Sequence, residues 1–283
     1  MPSLQDLIAT APGVSARPDS VAALMDVIDD PLVAASTLLP VIERDPGLTA
    51  GLLKLCNSSL YNLKRIIGTP REALVMVGNV AFARLCFTLS LEPALQRELP
   101  GYQLDLGGLW QHSLATAYGS SFLVSGMGRR DLSDRAFTAG LLHDIGKLVL
   151  DQALVGGGDP LAPTPGESRG CDLERRRTGY DHAEAGAALL DSWNLPEEIV
   201  AAVRWHHEAD SAGDHQRLAH AVEVADRVSH IAVKLHAGSQ AVEDWVSRTF
   251  DGAAFAKQSV RNLAEILATK HQNILALAMN PRI

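Results

Sequence analysis

The stretch Leu141-Leu142-His143-Asp144-Ile145-Gly146-Lys147 decides how this chain is read. An apolar run, Ala136-Phe137-Thr138-Ala139-Gly140-Leu141-Leu142, leads into a His–Asp pair, and Ile145 follows it directly. Leu141, Leu142 and Ile145 predict burial of His143 and Asp144. An imidazole and a carboxylate are costly to bury unless they are paired or coordinated. A metal ion would compensate both, since neutral imidazole and ionised carboxylate are donors that zinc, iron, manganese and cobalt accept.

Outward from this pair, further ligand-type residues stand on separate helical segments. Trp110-Gln111-His112-Ser113 opens one helix, and Tyr180-Asp181-His182-Ala183-Glu184 opens another. Trp205-His206-His207-Glu208 ends a third, and Val224-Ala225-Asp226 lies inside a later one. Each has an ordinary reading too. His206-His207 fits a helix C-terminal charge pair, and His182 fits a plain first-turn residue beside Asp181. His215, His220, His230, His236 and His271 are read as surface or satisfied core histidines. Taken together, His112, His143, Asp144, His182, His206, His207 and Asp226 point to metal binding.

The bulk numbers are those of an ordinary globular protein. The chain has 283 residues, 47% hydrophobic and 5% aromatic, with a formal net charge of -8. Plentiful Ala and Leu favour helices over sheet, so the expected class is all-α. An acidic surface without a basic run repels phosphate backbones, so no nucleic-acid partner is expected. Cys56, Cys86 and Cys171 form no CxxC pair, which argues against a zinc knuckle, a redox motif or a disulfide framework. Met1-Pro2-Ser3-Leu4 lacks the order of a signal peptide, and no apolar run is long enough to cross a bilayer. A cytoplasmic location without membrane contact is the expectation. No Gly-rich phosphate loop and no Ser/His/Asp or Cys/His nucleophile arrangement competes with the metal reading.

Three regions are expected. Residues 1–100 read as an N-terminal helical part. In it Leu24, Val27 and Ile28 make one face, Asp45-Pro46 starts a helix with Asp as N-cap, and a single helix runs from near Pro70 to Leu91. Residues 101–237 carry the ligand-type residues, interrupted by a Gly- and Pro-rich excursion from Val155 to Gly170. Residues 238–283 form a C-terminal helical extension whose stripe includes Val260, Leu263, Leu267, Ile274 and Ala278. That stripe packs on the body of the chain or pairs with a second copy in a homodimer.

The same residues resemble the HD superfamily of metal-dependent phosphohydrolases: the doublet His143-Asp144, a preceding His112 and a following Asp226. The chain as a whole looks like the HDOD branch. Asp45-Pro46-Gly47-Leu48 through Lys54-Leu55-Cys56-Asn57-Ser58, Ala73-Leu74 to Gly78, Ala136 to Asp144, and Trp193-Asn194-Leu195-Pro196 resemble its motifs. The resemblance implies an HD-superfamily helical bundle with an N-terminal helical subdomain and a role in signal transduction. By likeness to HD-GYP cyclic-dinucleotide phosphodiesterases, the seven residues suffice for two divalent cations, iron, zinc, manganese or nickel, with Asp144 as the bridge. Lys147 matches the lysine expected near substrate phosphate, so Asp144 and Lys147 are the expected catalytic pair. The Gly-Tyr-Pro motif expected after the His pair is replaced by Glu208-Ala209-Asp210-Ser211-Ala212-Gly213, which argues against cyclic di-GMP as the substrate. The alternative is a non-catalytic interaction or sensor module. The expected partners are signalling proteins or a small phosphoester.

Overall fold

The computed structural model describes residues 2–15, 34–58, 65–155, 169–232, 255–270 and 274. Among the described residues every regular element is helical, and the one β pairing is an isolated bridge between Leu99 and Leu104. The chain divides into two compact units. One comprises Met1–Ser15 with Leu95–Ala278, the other Ala16–Ala94 with Met279–Ile283.

Helix α1 (Leu4–Thr10) opens the first unit, its start fixed by a reciprocal capping box between Ser3 and Asp6. The second unit follows with α2 (Ala34–Arg44), α3 (Pro46–Cys56), α4 (Pro70–Val77) and α5 (Asn79–Leu95). Asp45 caps α3 by accepting from Leu48 N at 3.0 Å, and Pro46 takes the first helical position, where its missing N–H costs nothing. Asn57 then clamps Ile67, donating to its carbonyl at 2.8 Å and accepting from its N–H at 2.7 Å. Cys56 and Cys86 are buried core thiols. The expected single helix from Pro70 to Leu91 is in fact two. Gly78 adopts φ +84°, a conformation open to glycine and strained for other residues, and this ends α4 before α5 begins. Leu24, Val27 and Ile28 lie outside the described residues.

The first unit continues with α6 (Gly108–Gly126), α7 (Ser133–Leu142), α8 (Gly146–Val155), α9 (Arg169–Thr178), α10 (His182–Ser192), α11 (Glu197–Arg204), α12 (Gln216–Ala232) and α13 (Lys257–Lys270). Helix α6 is buried on nearly every side, packed between α7 and α12. Helices α8 and α10 pack on each other, and α11 closes against α7, α10 and α12. Most of the Gly- and Pro-rich excursion lies outside the described residues, and α9 already begins at Arg169. The C-terminal stripe packs on the body: Val260, Leu263 and Leu267 of α13 are buried, and α13 lies against α6 and α12. Ala278 lies outside the described residues. No described helix is long and apolar enough to cross a membrane.

Candidate metal centre

Packing of α6, α7, α8, α10, α11 and α12 brings the sequence-predicted donors to one place. His112 projects from the second turn of α6, and Asp226 from the middle of α12. His143 and Asp144 occupy the tight turn between α7 and α8, with Lys147 in the first turn of α8. His182 is the first residue of α10, placed by an Asp181–Glu184 capping box. His206 and His207 lie in the turn just beyond α11.

Two sets of donors meet across Asp144. On one side His112 Nε2 stands 3.1 Å from His143 Nε2, 3.0 Å from Asp226 Oδ1 and 3.4 Å from Asp144 Oδ2. On the other side Asp144 Oδ1 is 3.2 Å from His182 Nε2, which is 2.9 Å from His207 Nε2 and 3.4 Å from His206 Nε2. Donors sharing one cation through bonds of about 2.1 Å sit roughly 3.0–3.5 Å apart. The observed spacings fall in that range, except that His182 and His207, at 2.9 Å, stand just below its lower edge.

The tautomers sharpen the point. His143 Nδ1 faces the Gly140 carbonyl at 2.8 Å, His206 Nδ1 the Val203 carbonyl at 2.6 Å, and His182 Nδ1 the Glu174 carboxylate at 2.8 Å. Each partner accepts only, so each Nδ1 carries a proton, and whenever the ring is neutral its bare Nε2 turns to the centre. Bare lone pairs of His182 and His206 at 3.4 Å repel unless a positive species lies between them. Asp226 Oδ1 tells the same story. It is buried and accepts no hydrogen bond of normal geometry, although the Nε2 atoms of His112, His230 and His143 lie 3.0, 3.3 and 3.6 Å away. The donor set therefore fits a divalent metal.

In the ion-free chain protons take part of this role. Burial opposes charge on His143, but Asp144 and Asp226 outweigh it and raise its pKa to about 10. Against the same burial, Glu174 raises that of His182. Burial, reinforced by His207, holds His206 well below the usual imidazole range, and burial with His182 pushes His207 down to about 4. Burial opposes the charge of Asp144, yet His143 and Lys147 keep it well below the usual carboxylate range. Lys147 Nζ donates to Asp144 Oδ2 at 2.6 Å and sits over the Tyr102 ring.

Two residues at the centre escaped the sequence reading. His230, read as ordinary, stacks on His112 with ring centroids 4.2 Å apart and reaches Asp226 one helical turn before it. The spacing of four between Asp226 and His230 was a usable signal, because such pairs share a helix face. Glu174 is 2% exposed, and its carboxylate takes both the ring Nδ1–H and the backbone N–H of His182. A carboxylate behind a ligating histidine fixes ring orientation and raises basicity, and its loss costs about 10–100-fold in metal affinity. Glu174→Gln is therefore expected to weaken ion retention within that range, read by competition with a chromophoric chelator. Unchanged retention would show that His182 needs no such support.

The family profile described as HDOD domain matches residues 14–209. An uncharacterized protein of Treponema pallidum (strain Nichols) is 27% identical over 197 residues; the match takes in 69% of this chain and 38% of the relative, so the chain spans well under half of that relative's length. The crystal structure of an HDOD domain protein of unknown function from Geobacter sulfurreducens superimposes with a TM-score of 0.72 at 22% identity, over 97% of this chain and 95% of that one. A protein from Shewanella amazonensis SB2B, described as a candidate phosphohydrolase, does so with a TM-score of 0.65 at 23% identity, over 98% and 95%. At these identities the likeness is one of fold.

Proposed function

The chain belongs to the HDOD domain family, and from that premise we propose a regulatory protein whose helical core holds one or two divalent cations and cleaves a small phosphoester. The observation that carries this reading is the two-sided position of Asp144. Its Oδ2 faces His112 and His143, while its Oδ1 faces His182. His112, His143 and Asp226 with Asp144 would hold one cation, and His182, His206 and His207 with Asp144 the other. Iron, zinc, manganese and nickel all suit this imidazole and carboxylate set.

Cations bound there supply Lewis acidity and make a water nucleophilic near neutral pH. The chain's own residues do the rest. Lys147 keeps its charge beside Asp144, and with 16% of its side chain exposed it can stabilise phosphoryl oxygens. His207, Arg175 and Arg204 line a cavity of about 170 Å³. Weak turnover of cyclic di-GMP is expected, because Glu208-Ala209-Asp210 stand where a Gly-Tyr-Pro motif would follow the His pair.

Elemental analysis of untagged protein purified without chelator tests the reading, with about one to two equivalents expected by the two-metal precedent. A chain that arrives metal-free and ignores added metal would sink it. Turnover of generic phosphodiesters then separates an enzyme from a silent metal-binding module, and full activity in Lys147→Ala would remove that lysine's role. The pH dependence follows from His143. Its proton, held up to about pH 10 in the ion-free chain, must leave before Nε2 can ligate. Loading at neutral pH should release protons, and affinity should fall about tenfold for each unit by which the pH is lowered, per proton displaced. Calorimetry in buffers of different ionisation heat measures that number, and zero proton release would contradict ligation by His143.

A further inference from the structure

Cys171 lies on α9, one turn before Glu174, and is 5% exposed. It forms no disulfide, and none of the described hydrogen bonds involves its sulfur. Its Sγ and one ring nitrogen from each of His182 and His207 all lie within 4.8 Å of one another. Cys171 and His207 both line the cavity of about 170 Å³, so two of the three residues face a space open to an entering ion.

Resting on the metal reading above, we infer that Cys171 supplies a thiolate ligand to the cation held by His182 and His207, making that position chemically distinct from the one at His112, His143 and Asp226. The first position has imidazole and carboxylate donors and accepts hard or borderline ions. The second gains a soft sulfur, which selects zinc or ferrous iron over manganese or magnesium. The step is a ligand substitution without redox change. The thiol S–H gives its proton to solvent as the metal–sulfur bond forms, because a coordinating thiol is deprotonated by the ion itself. Glu174 on the same helix holds His182 from behind, so α9 contributes both a ligand and the support of its neighbour. The two ions would then be of different elements in a cell that offers several.

Cobalt(II) loading of the full chain reads this directly, because thiolate bound to cobalt gives an intense near-ultraviolet charge-transfer band that nitrogen and oxygen ligands do not. The loaded protein is expected to show the band. Cys171→Ser should lose it while retaining cobalt at the first position by elemental analysis. Cys171→His, which keeps the ligand number, should lose the band yet keep both ions, and it guards against a folding failure of the serine variant. Cobalt bound without a band in the unsubstituted chain would overturn the role of Cys171 and leave the metal reading intact. Persistence of the band in both variants would do the same, assigning the sulfur to Cys56 or Cys86. No cobalt uptake at all would overturn the metal reading and this inference with it.

Discussion

Asp144→Asn is expected to strip the centre of both cations and to destabilise the protein even when no cation is present. The carboxylate stands between the two sets of donors, with one oxygen turned to each. The amide keeps the shape but loses the charge and replaces one acceptor by a donor. Affinity at both positions should fall by about 100-fold or more, beyond the loss of a merely supporting group. The second effect concerns Lys147. Its ammonium donates to Asp144 Oδ2 at 2.6 Å with little exposure to solvent. Breaking one side of a buried pair costs about 3–5 kcal/mol, because the other charge remains. Adding Lys147→Met to the asparagine variant should recover part of the stability and none of the metal. Denaturant unfolding with elemental analysis separates the two effects. Normal metal content in Asp144→Asn would refute the bridging role.

Gly146→Ala should be the most damaging small substitution near the centre. A Cβ at this position would lie 1.9 Å from the His182 carbonyl oxygen and 2.5 Å from Gly186 N. Both neighbours are backbone, so no side chain can rotate aside, and α8 must move away from α10. Overpacking of this kind costs about 1–3 kcal/mol and occasionally more, and a purely backbone collision belongs at the upper end. At about 2–4 °C per kcal/mol for a domain of this size, a loss of about 3 kcal/mol lowers the melting midpoint by roughly 6–12 °C. The same movement draws Asp144 and Lys147 from His182, so metal retention should fall with stability. A midpoint equal to that of the unsubstituted chain would show that the α8–α10 contact is looser than it stands here.

The sequence was most legible where chemistry and local structure agree. An apolar run ending in His143-Asp144 announces a buried polar turn, and the structure brings His112, His182, His206, His207 and Asp226 to it. Asp45 and Asp181 were readable as helix starts because a side-chain cap is decided within four residues. Glu174 was not readable. It sits in Leu173-Glu174-Arg175-Arg176-Arg177, where an acid among arginines looks like a solvated face, and only tertiary packing turns it to His182. Cys171 reads only as one of three scattered thiols without a CxxC pair, and packing alone brings its sulfur near His182 and His207. The break at Gly78 was missed because apolar residues on both sides keep a helical rhythm across it, whereas the backbone angle of one residue ends the helix.

The donors around Asp144 are drawn from positions as far apart as His112 and Asp226, which stand 114 positions apart along the chain. A cation gripping both would act as a cross-link over a long loop, and its full donor set is assembled only once six helices have docked. Its influence should therefore fall on the late side of the folding barrier. Contacts absent from the transition state leave the refolding rate almost unchanged and slow unfolding. The loaded protein would thus refold at the pace of the ion-free chain, yet persist far longer once folded. A chelator would shorten its lifetime against proteolysis before any change in shape could be seen.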